Sequence, residues 1–91
     1  MKRQAQPRDE MKNPFAIIRS PFAYEDGSGE YLGRVESAHP TRAAAWRRYD
    51  ASQAANKRAN PNTCLNLVVV EVSSPNEPCV GERTRGKSVS R

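Results

Sequence analysis

Chemically versatile side chains are scarce in this 91-residue chain: it has one histidine, two cysteines, one tryptophan, two phenylalanines and five glycines. Hydrophobic residues make up 36 % of the chain, which leaves material for one small core and a single domain at most. No apolar run approaches the roughly 18 residues of a membrane span, and no heptad repeats, so a transmembrane helix and a coiled coil are excluded. The basic start is not followed by an apolar segment of the length a secretory signal requires, and a cytoplasmic location is expected. Met11 offers a second possible translation start.

With two thiols, Cys64 and Cys79, and the single His39, a four-ligand structural zinc site cannot be drawn without carboxylates. No metal and no cofactor is expected. Reduced thiols are expected in the cytoplasm, with Cys64 a small core or strand-edge residue. His39 stands directly before Pro40 at a helix start and reads as a cap or turn residue rather than a general base. Gly81, Gly86, Lys87 and Ser88 formally match G-x-x-x-x-G-K-[ST], but only three residues follow in this sequence, too few for the helix a phosphate loop requires. Catalysis is therefore not expected, and no catalytic residue is assigned.

Positive charge is the abundant feature: fifteen Lys and Arg stand against ten Asp and Glu, for a formal net charge of +5. Residues 1–13 carry Lys2, Arg3, Arg8 and Lys12 against Asp9 and Glu10, and residues 74–91 carry Arg83, Arg85, Lys87 and Arg91 against Glu77 and Glu82. Both flanks are poor in large apolar side chains, so ordering them costs conformational entropy with little burial in return. They read as disordered tails around a single domain at 14–73.

Within 14–73, residues 15–19 read as a strand that continues through Phe22 and Tyr24. Pro21 makes this an edge strand or one broken at Ser20. Asp26-Gly27 marks a reversal, and residues 31–36 supply a second strand of a hairpin spanning 15–36. Pro40 suits a first helical turn, with Ser37, His39 or Thr41 able to cap, and residues 41–59, rich in Ala and Arg, form a helix ended by Asn60-Pro61. The β-branched run 65–72 is a strand returning to the sheet. The expected fold is α+β: a β-β-α-β unit with a three-stranded antiparallel sheet and one helix across it.

Ala45, Trp46, Tyr49 and Gln53 share one sector of that helix, opposite Ala43, Ala44, Arg47, Ala51, Ala54 and Arg58. Either sector could face the sheet; burying Trp46 and Tyr49 removes more apolar area than burying alanines, which favours the aromatic side. The expected core is Phe15, Ile17 or Ile18, Phe22, Leu32, Val35, Trp46, Tyr49, Leu67 and Val69, with Val68, Val70 or Val72 on the alternate face. Arg42, Arg47, Arg48, Lys57 and Arg58 then form a basic helix surface. It is set against an acidic turn of Glu25, Asp26 and Glu30, an arrangement suited to an oriented contact.

Residues 31–36, Ala43 to Trp46 and Tyr49 to Ala51 resemble the AP2 DNA-binding domain, in which a Leu-Gly strand precedes an Ala-rich helix with Tyr-Asp. That resemblance implies a sheet reading DNA through Arg and Trp, but the hairpin here offers only Arg19 and Arg34, and the strand after the helix departs from the pattern. In size, charge and β-β-α-β order, residues 14–73 also resemble small phage-encoded proteins, including anti-CRISPR inhibitors, which implies a protein that blocks a host nucleoprotein complex without catalysis. The expected function is a non-enzymatic phage or mobile-element binding protein, of which an anti-CRISPR inhibitor is one concrete version, engaging nucleic acid or a nucleoprotein complex through Arg42, Arg47, Arg48, Lys57 and Arg58. The alternatives are a protein–protein adaptor or oligomerising module using a sheet edge, and a small sequence-specific DNA-binding domain.

Overall fold

The computed structural model describes residues 11–20 and 30–91. In chain order the elements are β1 (Phe15–Arg19), β2 (Glu30–His39), α1 (Arg42–Ala59), β3 (Leu67–Val72) and β4 (Arg83–Ser88). The fold is α+β, and the order β1-β2-α1-β3 is the expected one. The sheet has four strands, not three. All pairings are antiparallel, and they close into a barrel in the order β1-β2-β4-β3.

The fourth strand corrects the reading of residues 74–91 as a disordered tail. Thr84 and Gly86 of β4 are buried, while Arg83, Arg85 and Lys87 are exposed. The period of two is present, but its inward half is a threonine and a glycine. Little side-chain volume is needed there because Gly86 abuts the Val70 side chain and the Glu71 carbonyl. The domain therefore extends past residue 73. It also begins before residue 14: Met11 is buried in the barrel, and the Lys12 and Asn13 amides donate to Glu77 Oε1.

β1 is not an edge strand. It pairs with β2 on one side and β3 on the other, and it ends at Arg19, before the proline could interrupt a ladder. The hairpin pairing of β1 with β2 is as expected. Phe22, Tyr24 and the acidic turn residues Glu25 and Asp26 lie outside the described residues, whereas Glu30 begins β2. The β1–β2 register slips between Ile17↔Ser37 and Ile18↔Val35, which leaves Glu36 as the extra residue of a bulge. Bulges bend a strand and increase its twist, and this one divides β2 between two neighbours: residues 30–34 pair with β4, residues 34–39 with β1.

Because β1 has the barrel interior on one side and the helix on the other, Ile17 and Ile18 are both buried. Ala16, Ile18, Val35, Val70 and Val72 fill the interior with Met11; Ile17, Val69 and Ala45 form the layer under α1, flanked by Phe15, Trp46, Tyr49 and Leu67. Burying each of the isoleucine, valine and methionine side chains contributes roughly 1.5–3 kcal/mol. Leu32, expected in the core, is 44 % exposed. Gly33 and Val35 take the inward positions of β2, and strand alternation sends Leu32 and Arg34 outward.

α1 begins at the Thr41 cap, whose Oγ1 accepts from the Ala44 amide at 3.1 Å, so Pro40 lies just outside the first turn. Asn60 is the C-cap, as the following proline requires. The aromatic sector does face the sheet, with the small Ala45 fully buried at its centre and Trp46 and Tyr49 half-buried beside it. Gln53 fixes the return of the chain: its amide donates to Leu65 O at 2.9 Å and accepts from Leu65 N at 3.1 Å. Cys64 lies in this connection before β3 and is exposed, rather than in the core or strand. No described helix is long and apolar enough to cross a membrane.

Candidate functional site

Arg42, Arg47, Arg48, Lys57 and Arg58 are all exposed on α1, and they are distributed over it rather than gathered. Arg47 and Arg58 project from the side opposite Ala45, about 16 Å apart along the axis at 1.5 Å per residue. Arg42 and Arg47 share a shallow depression with Trp46, Asp50 and Arg91. Arg48 lies toward His39, and Lys57 borders a separate hollow formed with Tyr49 and residues 61–65. The structure therefore brings Arg42 and Arg47 together, sets Arg48 on one flank, and places Lys57 and Arg58 at the far end.

The helix dipole separates these residues further. Lys57 and Arg58 occupy the last turn, where positive charge meets the partial negative end of the helix and is stabilised. Arg42 occupies the first turn, which contains no acidic residue, and there its charge opposes the dipole. Helix stability thus gives a reason for the C-terminal pair and none for Arg42.

Asp50, the helix's one carboxylate, is already engaged. Both of its oxygens accept from the Arg91 guanidinium, at 2.7 and 2.8 Å, and these bonds hold the Asp50 carboxyl below its usual range and raise Arg91. The same guanidinium lies 4.6 Å from the Trp46 ring centroid, and Trp46 Nε1 donates to Ser90 O at 3.1 Å. Val89 packs into the layer beneath the helix. Residues 89–91, read from sequence as tail, are a strap across the first half of α1.

His39 ends β2 and shares a 2.8 Å hydrogen bond with Ser37 Oγ. Partial burial and then the nearby Arg48 charge lower its pKa from the ordinary value. A depressed histidine pKa favours the folded state when the ring is neutral, so this contribution is present above the unfolded pKa of about 6.5 and is lost as pH falls toward the folded value. Melting temperature is expected to decline from pH 7.5 to 5.5, and His39→Gln to flatten that decline. An unchanged pH profile in the variant would rule out His39 as its source.

The barrel carries a second basic surface that the sequence reading did not identify. In the paired register, Arg34 stands directly opposite Arg19 of β1 and directly opposite Arg83 of β4. All three are exposed, and they line one depression together with Leu32, Gly33 and Glu36. The available signal was the alternation Arg83, Arg85, Lys87 around Thr84 and Gly86, which has strand period. Residues 81–88, which match the phosphate-loop pattern, lead into and form β4, so the Gly-Lys-Ser part of the pattern lies within a strand rather than in a loop. Comparison with family models, with curated proteins and with solved structures gives no match for the chain.

Proposed function

We propose that this chain is a non-enzymatic cytoplasmic binding protein that engages nucleic acid, free or within a nucleoprotein complex, through the exposed basic face of α1. The observation that carries the reading is the capture of Asp50 by Arg91, which leaves Arg42, Arg47, Arg48, Lys57 and Arg58 unopposed by any carboxylate of their own helix. Exposed cations spread over a rigid helix attract a polyanion and release its counterions on contact. Inhibition of a host nucleoprotein complex, as the resemblance to anti-CRISPR proteins implies, is one form such binding takes. An adaptor joining partners by a sheet edge is less well supported, because every strand of the barrel has two neighbours.

Fluorescence anisotropy with labelled 20-nucleotide DNA and RNA, single- and double-stranded, tests the reading. Affinity is expected to fall steeply with salt. The charge reversal Arg47→Glu/Arg48→Glu is expected to weaken binding at least tenfold near 0.1 M salt and to reduce the slope of log K against log salt by about 2. Binding with wild-type affinity in that variant would remove the helix from the interface.

A further inference from the structure

Like charges placed directly opposite one another on neighbouring strands destabilise a sheet. In this barrel the antiparallel register aligns three arginines in one row, Arg19↔Arg34 between β1 and β2 and Arg34↔Arg83 between β2 and β4. With strands about 4.8 Å apart, their Cα atoms span only about 10 Å. Glu36, the bulge residue, forms a fork with Arg19 at 3.3 Å. The side chains of Arg34 and Arg83 have no hydrogen-bond or ion-pair partner among the described residues. Farther along the same strands the charge is balanced: Glu30 Oε1 is 4.0 Å from Arg85, and Lys87 stands opposite both Glu30 and Glu71. Positive charge is therefore concentrated at one end of the β2–β4 surface, where the contacts among the described residues give no reason for it.

We propose that Arg34 and Arg83, with Arg19 beside them, form a second docking surface of this protein, for the phosphodiester backbone of a nucleic acid. The row runs from β1 over β2 to β4, whereas α1 packs over the Ile17 and Val69 layer of β1 and β3. The proposal rests on the nucleic-acid reading above and adds a contact that the helix does not make. Guanidinium groups at strand spacing supply forked donors to successive phosphate oxygens. Leu32, 44 % exposed in the same depression, offers apolar surface to the sugar between them. Among the described residues no aromatic ring lines that depression, so the contact argued for is with the phosphodiester backbone, and equal affinity for unrelated sequences is expected.

The anisotropy assay with Arg34→Gln/Arg83→Gln, set beside Arg47→Glu/Arg48→Glu, tests the proposal. The barrel variant is expected to bind roughly tenfold more weakly near 0.1 M salt, with a salt slope smaller by about 2 and equal losses on unrelated sequences. Its melting temperature is expected to rise by about 1–5 °C, because cross-strand repulsion is relieved. Wild-type affinity and slope in the barrel variant, with binding lost in the helix variant, would overturn this inference and leave the helix reading intact. Loss in the barrel variant alone would sustain it and remove the helix. A wild-type protein that binds none of the four nucleic acids would overturn both and direct the search to an acidic protein surface. If the double glutamine variant melts below wild type, the wild-type protein decides: the Arg34 and Arg83 Nε–Hε resonances shift on titration with the oligonucleotide, or the row is not a contact.

Discussion

A chain ending at Glu82 is expected not to fold. Removing residues 83–91 takes away β4, which closes the barrel between β2 and β3 on the side away from β1, and leaves both strands with an open seam there. Val70 and Val72, each fully buried, lose the strand that pairs with them, and Val35 and Ile18 share the opened interior. The strap goes too: Val89 leaves the layer under α1, and Trp46 loses its bond to Ser90 O. Small domains keep a margin of only about 5–15 kcal/mol, and exposing several buried aliphatic side chains at roughly 1.5–3 kcal/mol each consumes it. Far-UV circular dichroism and amide dispersion in a proton–nitrogen correlation spectrum provide the check. The truncated chain is expected to show a coil spectrum and no cooperative melt, and a native-like spectrum would show that β4 is dispensable. A chain ending at Ser88 retains the barrel and is expected to lose much less.

Substituting alanine at Gly86 is the second large effect. A Cβ there would lie 2.5 Å from the Glu71 carbonyl oxygen and 2.9 Å from both Cβ and Cγ2 of Val70. Gly33 is similar where β2 meets β1, with its Cβ position 2.6 Å from the Arg19 carbonyl oxygen. In each case the nearest obstacle is the backbone of the strand facing it, which its own pairing holds in place, and the Val70 atoms beside Gly86 belong to a short, fully buried side chain. Overpacking of this kind costs about 1–3 kcal/mol, and in a domain of this size that lowers the melting temperature by roughly 5–20 °C. Gly86→Ala is expected at the upper end of that range because it meets three atoms at under 3 Å. A melting temperature within 2 °C of wild type would mean that the strands do not approach so closely.

Most elements were legible where apolar residues mark them. The β-branched run before Ser73, the Ala-rich helix with its Asn60-Pro61 stop and the orientation of Trp46 and Tyr49 follow from propensity and buried area, and the structure agrees. What escaped was written in residues that carry no apolar signal. β4 faces inward with Thr84 and Gly86, so its place in the barrel depends on space left by valines of another strand, a relation no local window contains. Leu32 was misplaced by parity: Gly33, which reads as a weak strand residue, holds the inward position because the β1 backbone passes close by. The helix cations were legible as exposed, but not their dispersal or the binding of Asp50 by a residue 41 positions away. The barrel arginines belonged to separate segments, and only cross-strand register made them neighbours.

The closing strand also sets the order of events during folding. β1 and β2 are neighbours in sequence, separated by residues 20–29, while β4 must find β2 across the whole helix and β3, a pairing of high contact order that is expected to form late. Until it arrives, β3 presents Val70, Glu71 and Val72 with one side of the ladder unfilled, a ready template for another copy of the same chain. Half of this closing strand is cationic, since Arg83, Arg85 and Lys87 flank its two inward residues. Mutual repulsion between those cations disfavours pairing of two β4 segments from different molecules. The positive strand thus completes the barrel while discouraging the intermolecular sheet that its own delay would otherwise permit.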